Sequence, residues 1–194
     1  MRNALAIAVL LVLTGCGQPP QQDVDATKTA LDAARQQGAQ DYAPDAMKSA
    51  EDSYADLQAE MDAQAAKFPL FRSYKVATEK AAAARQAAEQ AQTSAQQGKE
   101  MAKQQATAAI QEGQTWLAET TAMLEKAPRG KGAAMDLAAL KTDLDGAGTS
   151  LAEADTLLAA EQYKDALAKA EAAKAAISGV KAQVEGAQAK VSGK

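Results

Sequence analysis

From Tyr74 to Ala95 the chain sets Tyr74, Ala77, Ala81, Ala84, Ala88, Ala91 and Ala95 at alternating steps of three and four residues. Only a helix of 3.6 residues per turn brings such positions onto one face. Six of these seven positions are alanine. An alanine face buries little area per residue, so it gains stability only against another helix that approaches closely along much of its length. No stretch alternates apolar and polar residues as a half-buried strand would. Hydrophobic residues make up 47% of the 194 residues but aromatics only 4%, and alanine with Glu, Lys, Gln and Leu is the composition of long helices.

The same spacing recurs along the chain. Val24, Thr27, Leu31 and Ala34 define a first short helix that ends near Gly38. Asp41-Tyr42-Ala43-Pro44 reads as a turn, with Pro44 suited to a first helical position. Met47, Ala50, Tyr54, Leu57 and Met61 mark the next helix, and Phe68-Pro69-Leu70-Phe71 breaks it as an apolar corner. A very long helix then extends to Ala127. Its frame drifts through Ala102 and Ala106, as a stutter produces, and resumes at Ile110, Gly113, Leu117, Thr120 and Leu124. At 1.5 Å per residue it would span on the order of 80 Å. Gly98 and Gly113 weigh against its continuity, each costing about 1 kcal/mol relative to alanine.

Pro128-Arg129-Gly130-Lys131-Gly132 is a loop. Leu137, Leu140, Leu144, Ala147, Leu151, Ala154 and Leu158 form the next stripe. Ala159 to Gln162 turns the chain. Tyr163, Ala166, Ala170, Ala173, Ile177, Val180, Val184, Ala187 and Val191 form the last. Asp165 with Lys169 and Glu171 with Lys174 are expected as pairs on its surface. The fold class is therefore all-α: elongated antiparallel helical hairpins, arranged as two three-helix bundles that share a long central helix. The division falls into a helical domain at 24–98 and a second bundle at 99–194.

The N-terminus reads as an address. Arg2 precedes an unbroken apolar run, Ala4 to Leu13, too short to span a bilayer and typical of a signal-peptide core. Leu13-Thr14-Gly15-Cys16 follows at once and resembles the lipobox of bacterial lipoproteins. The resemblance implies a signal peptide at 1–15, cleavage between Gly15 and Cys16, diacylglycerol on the Cys16 sulfur and a further acyl chain such as palmitate on its new amino group. Each buried CH₂ of those chains adds roughly 0.8 kcal/mol to membrane affinity. The competing reading is an ordinary signal peptide, or an uncleaved anchor, with a chance cysteine. Gly17 stands where aspartate would mark inner-membrane retention in many Gram-negative bacteria. In such a host the resemblance implies the outer membrane, facing the periplasm. Residues 16–23, with Gln18-Pro19-Pro20-Gln21-Gln22, read as a lipidated tether.

Residues 26–95 resemble a family of alanine-rich periplasmic helical domains of unknown function, found in lipoproteins and beside OmpA-like peptidoglycan-binding domains. The resemblance rests on Ala33-Ala34, Gly38-Ala39-Gln40-Asp41-Tyr42-Ala43-Pro44, Ala50, Leu57 and Tyr74-Lys75-Val76-Ala77. It brings no activity with it. Ala160-Glu161-Gln162-Tyr163-Lys164-Asp165-Ala166 echoes the first hairpin and is similar to a single tetratricopeptide-type hairpin, one repeat where a peptide-binding solenoid needs about three.

No pattern for catalysis emerges. Histidine is absent and Cys16 is the only cysteine, so the commonest general base is missing and no internal disulfide can form. The carboxylates are scattered over polar faces. Arg129-Gly130-Lys131-Gly132 lacks P-loop spacing. The expectation is no enzyme, no cofactor and no metal. A formal net charge of -4 with both signs intermixed argues against nucleic acid. Trp116, the only tryptophan, is either a packed filler or an anchor for a partner. Phe68, Leu70 and Phe71 either close the end of a bundle or form an exposed apolar tip that touches a membrane or partner. The terminal Lys194 resembles, in position alone, the lysine by which the major outer-membrane lipoprotein is joined to peptidoglycan, and is a candidate attachment point. The expected role is structural or adaptor, with peptidoglycan or an envelope protein as partner. The alternative is a helical binding module for a peptide, lipid or client protein. The oligomeric state stays open, since such seams also suit coiled-coil dimers.

Overall fold

The computed structural model describes residues 18–127 and 137–192. Among them are six helices and no strand: α1 (Gln21–Gln36), α2 (Ala39–Tyr42), α3 (Pro44–Ala65), α4 (Lys75–Glu125), α5 (Leu137–Ala159) and α6 (Tyr163–Ser192). The protein is all-α. It divides into two compact units, Met1–Gly98 and Lys99–Lys194, with α4 contributing to both.

In the first unit the expected stripes face inward. Leu31, Ala34, Met47, Ala50, Ala88, Ala91 and Ala95 share one apolar cluster. Leu57, Tyr74, Ala77 and Ala81 form a second, with Val24, Tyr54 and Met61 packed on it. The start of α1 therefore lies against the end of α3 and the start of α4. Helix α1 runs parallel to α4 and antiparallel to α3. Thr27 is fully buried. Its hydroxyl lies 2.7 Å from the Asp23 carbonyl and 3.1 Å from the Ala81 carbonyl, so it can donate within α1 or across to α4. Arg35 joins the other end of α1 to α3 through Glu51 at 2.9 Å.

Two local readings change. Helix α1 begins at Gln21, within the segment read as tether. Pro20 precedes it, the two glutamines are good helix formers, and Asp23 sits in the first turn where the helix dipole favours an anion. Asp41 and Tyr42 do not make an open turn but belong to the single-turn helix α2. Gly38, at φ 79°, separates it from α1, a conformation that suits glycine. Pro44 does open α3.

In the second unit, residues 99–125 of α4 pack with α5 and α6. Ile110, Leu124, Leu140, Leu144, Leu151, Ile177, Val180 and Val184 dominate this core. Side chains here are larger than in the first unit, so more apolar area is buried per residue. Gln114 of α4 donates to Asp155 of α5 at 3.1 Å, and Glu112 of α4 pairs with Lys174 of α6 at 2.6 Å. Lys169 crosses to Glu153 on α5 at 2.5 Å instead of making the expected pair with Asp165. Glu171 and Lys174 do pair, at 3.1 Å. Burial along α4 follows the stutter: after Ala95 the next buried alanines are Ala102 and Ala106, followed by Ala109 and Ile110, and the steps of four from Ala102 through Ala106 to Ile110 rotate the buried face. The turn between α5 and α6 places Glu161 at φ 61°.

Candidate functional site

The apolar corner after α3 is built from an ordered polar scaffold. Helix ends leave carbonyls without intrahelical donors, and Arg72 supplies donors for this one. Its Nε donates to the Lys67 carbonyl and its Nη2 to the Ala65 carbonyl, both at 2.9 Å. Gln64 is buried and accepts the Ser73 N–H on Oε1 at 3.1 Å. Its Nε2 donates to Glu60 at 2.7 Å. Pro69–Phe71 form a 3₁₀ turn held by the Phe71 N–H to the Phe68 carbonyl at 2.9 Å. The scaffold turns the apolar side chains outward: Phe68, Leu70 and Phe71 are 65%, 84% and 76% exposed. The two phenylalanine rings stand 6.3 Å apart, tilted by 50°. Of the two readings of this corner, the exposed tip is the observed one.

Trp116 is half-buried and packs on the core of the second unit. Lys174 lies over its ring, Nζ 5.2 Å from the centroid, within cation–π range. The same ammonium meets Glu112 and Glu171, and its side chain is only 12% exposed. The hydrogen bond to Glu112, then that to Glu171, holds the Lys174 pKa above its ordinary value against the opposing effect of burial. Trp116 is thus engaged by its own unit. Sequence spacing placed Glu171 beside Lys174 but gave no sign of Glu112 or of the indole.

A second basic contact lies at Lys99, 2.7 Å from Glu161 and 5.8 Å from the centroid of Tyr163. The Lys99 hydrogen bond holds the exposed Glu161 carboxyl below its usual range. Between α5 and α6 an open groove of about 380 Å³ is lined by Gly146, Ala147, Ala173, Ala176, Gly179 and Val180 among others.

Gly15, Cys16, Lys194 and the Arg129–Gly132 loop lie outside the described residues. Among the described residues no group of His, Cys, Asp and Glu could hold a metal ion, and no helix is long and apolar enough to cross a membrane. No family model, curated protein or solved structure matches the chain.

Proposed function

We propose that the protein is a lipid-anchored component of a bacterial envelope, held to the outer membrane through Cys16 and facing the periplasm, with a structural or adaptor role. The observation that carries the reading is Leu13-Thr14-Gly15-Cys16 placed directly after the apolar run Ala4 to Leu13. Support for a role without chemistry comes from the absence of histidine and the confinement of Cys16 to the lipidation motif. Among the described residues, the ion pairs Arg35–Glu51, Lys169–Glu153 and Lys174–Glu112 join neighbouring helices. Such pairs serve to join helices, which fits a structural role.

The test is retention of the mature protein on purified peptidoglycan and, separately, on solubilised envelope proteins. Binding to sacculi supports a wall-linking role, and muropeptide found on Lys194 would make that link covalent. Capture of one stoichiometric membrane protein supports an adaptor. Retention by neither contradicts the proposal. A second reading, a binding module, draws on the small-residue groove between α5 and α6. It requires that envelope peptides or lipids raise the melting temperature, as any ligand of the native state does.

A further inference from the structure

Five large hydrophobic side chains are exposed among the described residues: Phe68, Leu70, Phe71, Val76 and Met101. Four of them fall between Phe68 and Val76, at the corner joining α3 to α4. Apolar side chains clustered on an ordered corner mark a contact surface, since water opposes their exposure. Lys67, Arg72 and Lys75 flank them, and residues 66–78 contain no acid. The flanking acids in the sequence, Asp62 and Glu79, lie within α3 and α4.

The position of the chain's start decides what the surface meets. Val24 packs on the cluster of Leu57, Tyr74, Ala77 and Ala81, and Thr27, one turn further on, reaches the Ala81 carbonyl, so α1 begins at the same end of the unit as the corner. Gln21 lies three residues further out than Val24, about 4.5 Å along the helix. Five chain steps separate Gln21 from Cys16, at most about 18 Å when extended. A lipid on Cys16 therefore enters its membrane within a short reach of Phe68, Leu70 and Phe71.

We infer that this corner is a second membrane contact: the apolar side chains insert at the interface of the bilayer that holds the Cys16 lipid, while Lys67, Arg72 and Lys75 meet anionic headgroups. The inference rests on the lipid-anchored reading. It deepens that reading by fixing how the first unit stands on the membrane, with α2 at the end away from the lipid. An acyl anchor and a flanked apolar wedge are two signals that act together.

The test uses the full chain, expressed so that Cys16 can be acylated, carrying Leu70→Cys or, as the control at the α2 end, Gln40→Cys. Each introduced thiol carries an environment-sensitive dye. The protein is reconstituted into phosphatidylethanolamine–phosphatidylglycerol vesicles containing a spin-labelled lipid, and acylation of the same sample is read by mass. Acylated protein whose dye shifts to the blue and loses most of its emission at Leu70, but not at Gln40, bears out the inference. Adding Phe68→Ser and Phe71→Ser should then reverse the loss at Leu70. Acylated protein with an unquenched dye at Leu70, or equal quenching at both positions, overturns the second contact and leaves the anchor standing. Protein without acyl chains overturns the anchor, and the inference with it.

Discussion

A Cβ built on Gly98 would lie 2.2 Å from the Tyr42 carbonyl oxygen. Helix α4 thus passes the α2–α3 junction at backbone contact, and glycine at this point is a packing requirement. Gly113 is similar in kind: a Cβ there would lie 2.7 Å from Leu151 Cδ2. The flexible Leu151 end can shift, whereas the Tyr42 carbonyl cannot do so cheaply.

Gly98→Ala is therefore expected to destabilise the protein, by about 1–3 kcal/mol as overpacked sites do. Gly146, Gly179 and Gly186 meet nothing within 4 Å. Alanine at each should stabilise by up to about 1 kcal/mol, the difference in helix propensity. Denaturant midpoints of the four single variants check the sign. A stable Gly98→Ala variant would contradict the close approach.

Two buried threonines, Thr27 and Thr120, should respond oppositely to valine. Thr27 has two carbonyls within hydrogen-bond reach, so Thr27→Val should cost about 1 kcal/mol. Thr120 is fully buried and its hydroxyl has no hydrogen-bond partner. Thr120→Val removes a desolvated polar group and should stabilise by about 1 kcal/mol. Urea unfolding followed by the far-ultraviolet helix signal measures both.

The ion pairs of the second unit fix two pH responses. Glu161 is held below its ordinary carboxyl value of 4.5 by Lys99. Its contribution to stability is thus full above that value and fades as pH falls through the depressed folded-state pKa. The stability gap between wild type and Glu161→Gln, measured in low salt, should close below that range. Lys174 is raised above its ordinary 10.5, so its contribution is full below that pH and is lost as pH rises through the folded-state pKa. Because its ammonium lies over Trp116, the single indole reports the event directly: emission should change at strongly alkaline pH in wild type and not at the same pH in Lys174→Met.

At the corner, Arg72→Ala removes donors from the Ala65 and Lys67 carbonyls. The expected cost is about 1 kcal/mol, concentrated locally. Hydrogen exchange should accelerate in the last turn of α3 and the start of α4 while Ala50 and Leu31 stay protected. Uniform loss of protection would contradict the scaffold described for this corner.

The inward face of every long helix was legible from spacing alone, because burial of a helix depends on its own period. Leu57, Ala88, Leu144 and Ile177 are all buried where the three-four rhythm set them. Even the drift near Ala102 and Ala106 is visible both as a broken rhythm in the sequence and as rotated burial in the fold. Contacts between helices were not legible. The rhythm names the face that turns inward but not the residue it meets, so it gives no sign of the Tyr42 carbonyl beside Gly98, Glu112 beside Lys174 or Glu153 beside Lys169. Local propensity also misplaced two boundaries: Gln21 and Asp41 are helical because short helical turns can be completed by neighbouring backbone and favourable end charges. At the corner, the sequence allowed either closure of the core or an exposed tip. The choice turned on Arg72 and Gln64, whose hydrogen bonds to the backbone hold Phe68 and Phe71 away from the core.

Lipid anchoring is tested most directly by the intact mass of the mature protein purified from envelopes, with wild type beside Cys16→Ser. A lipid-anchored protein requires a chain that begins at Cys16 and carries diacylglyceryl and acyl groups, found with the membranes and lost from them in the serine variant. A chain with an unmodified Cys16, or one still beginning at Met1, would contradict it.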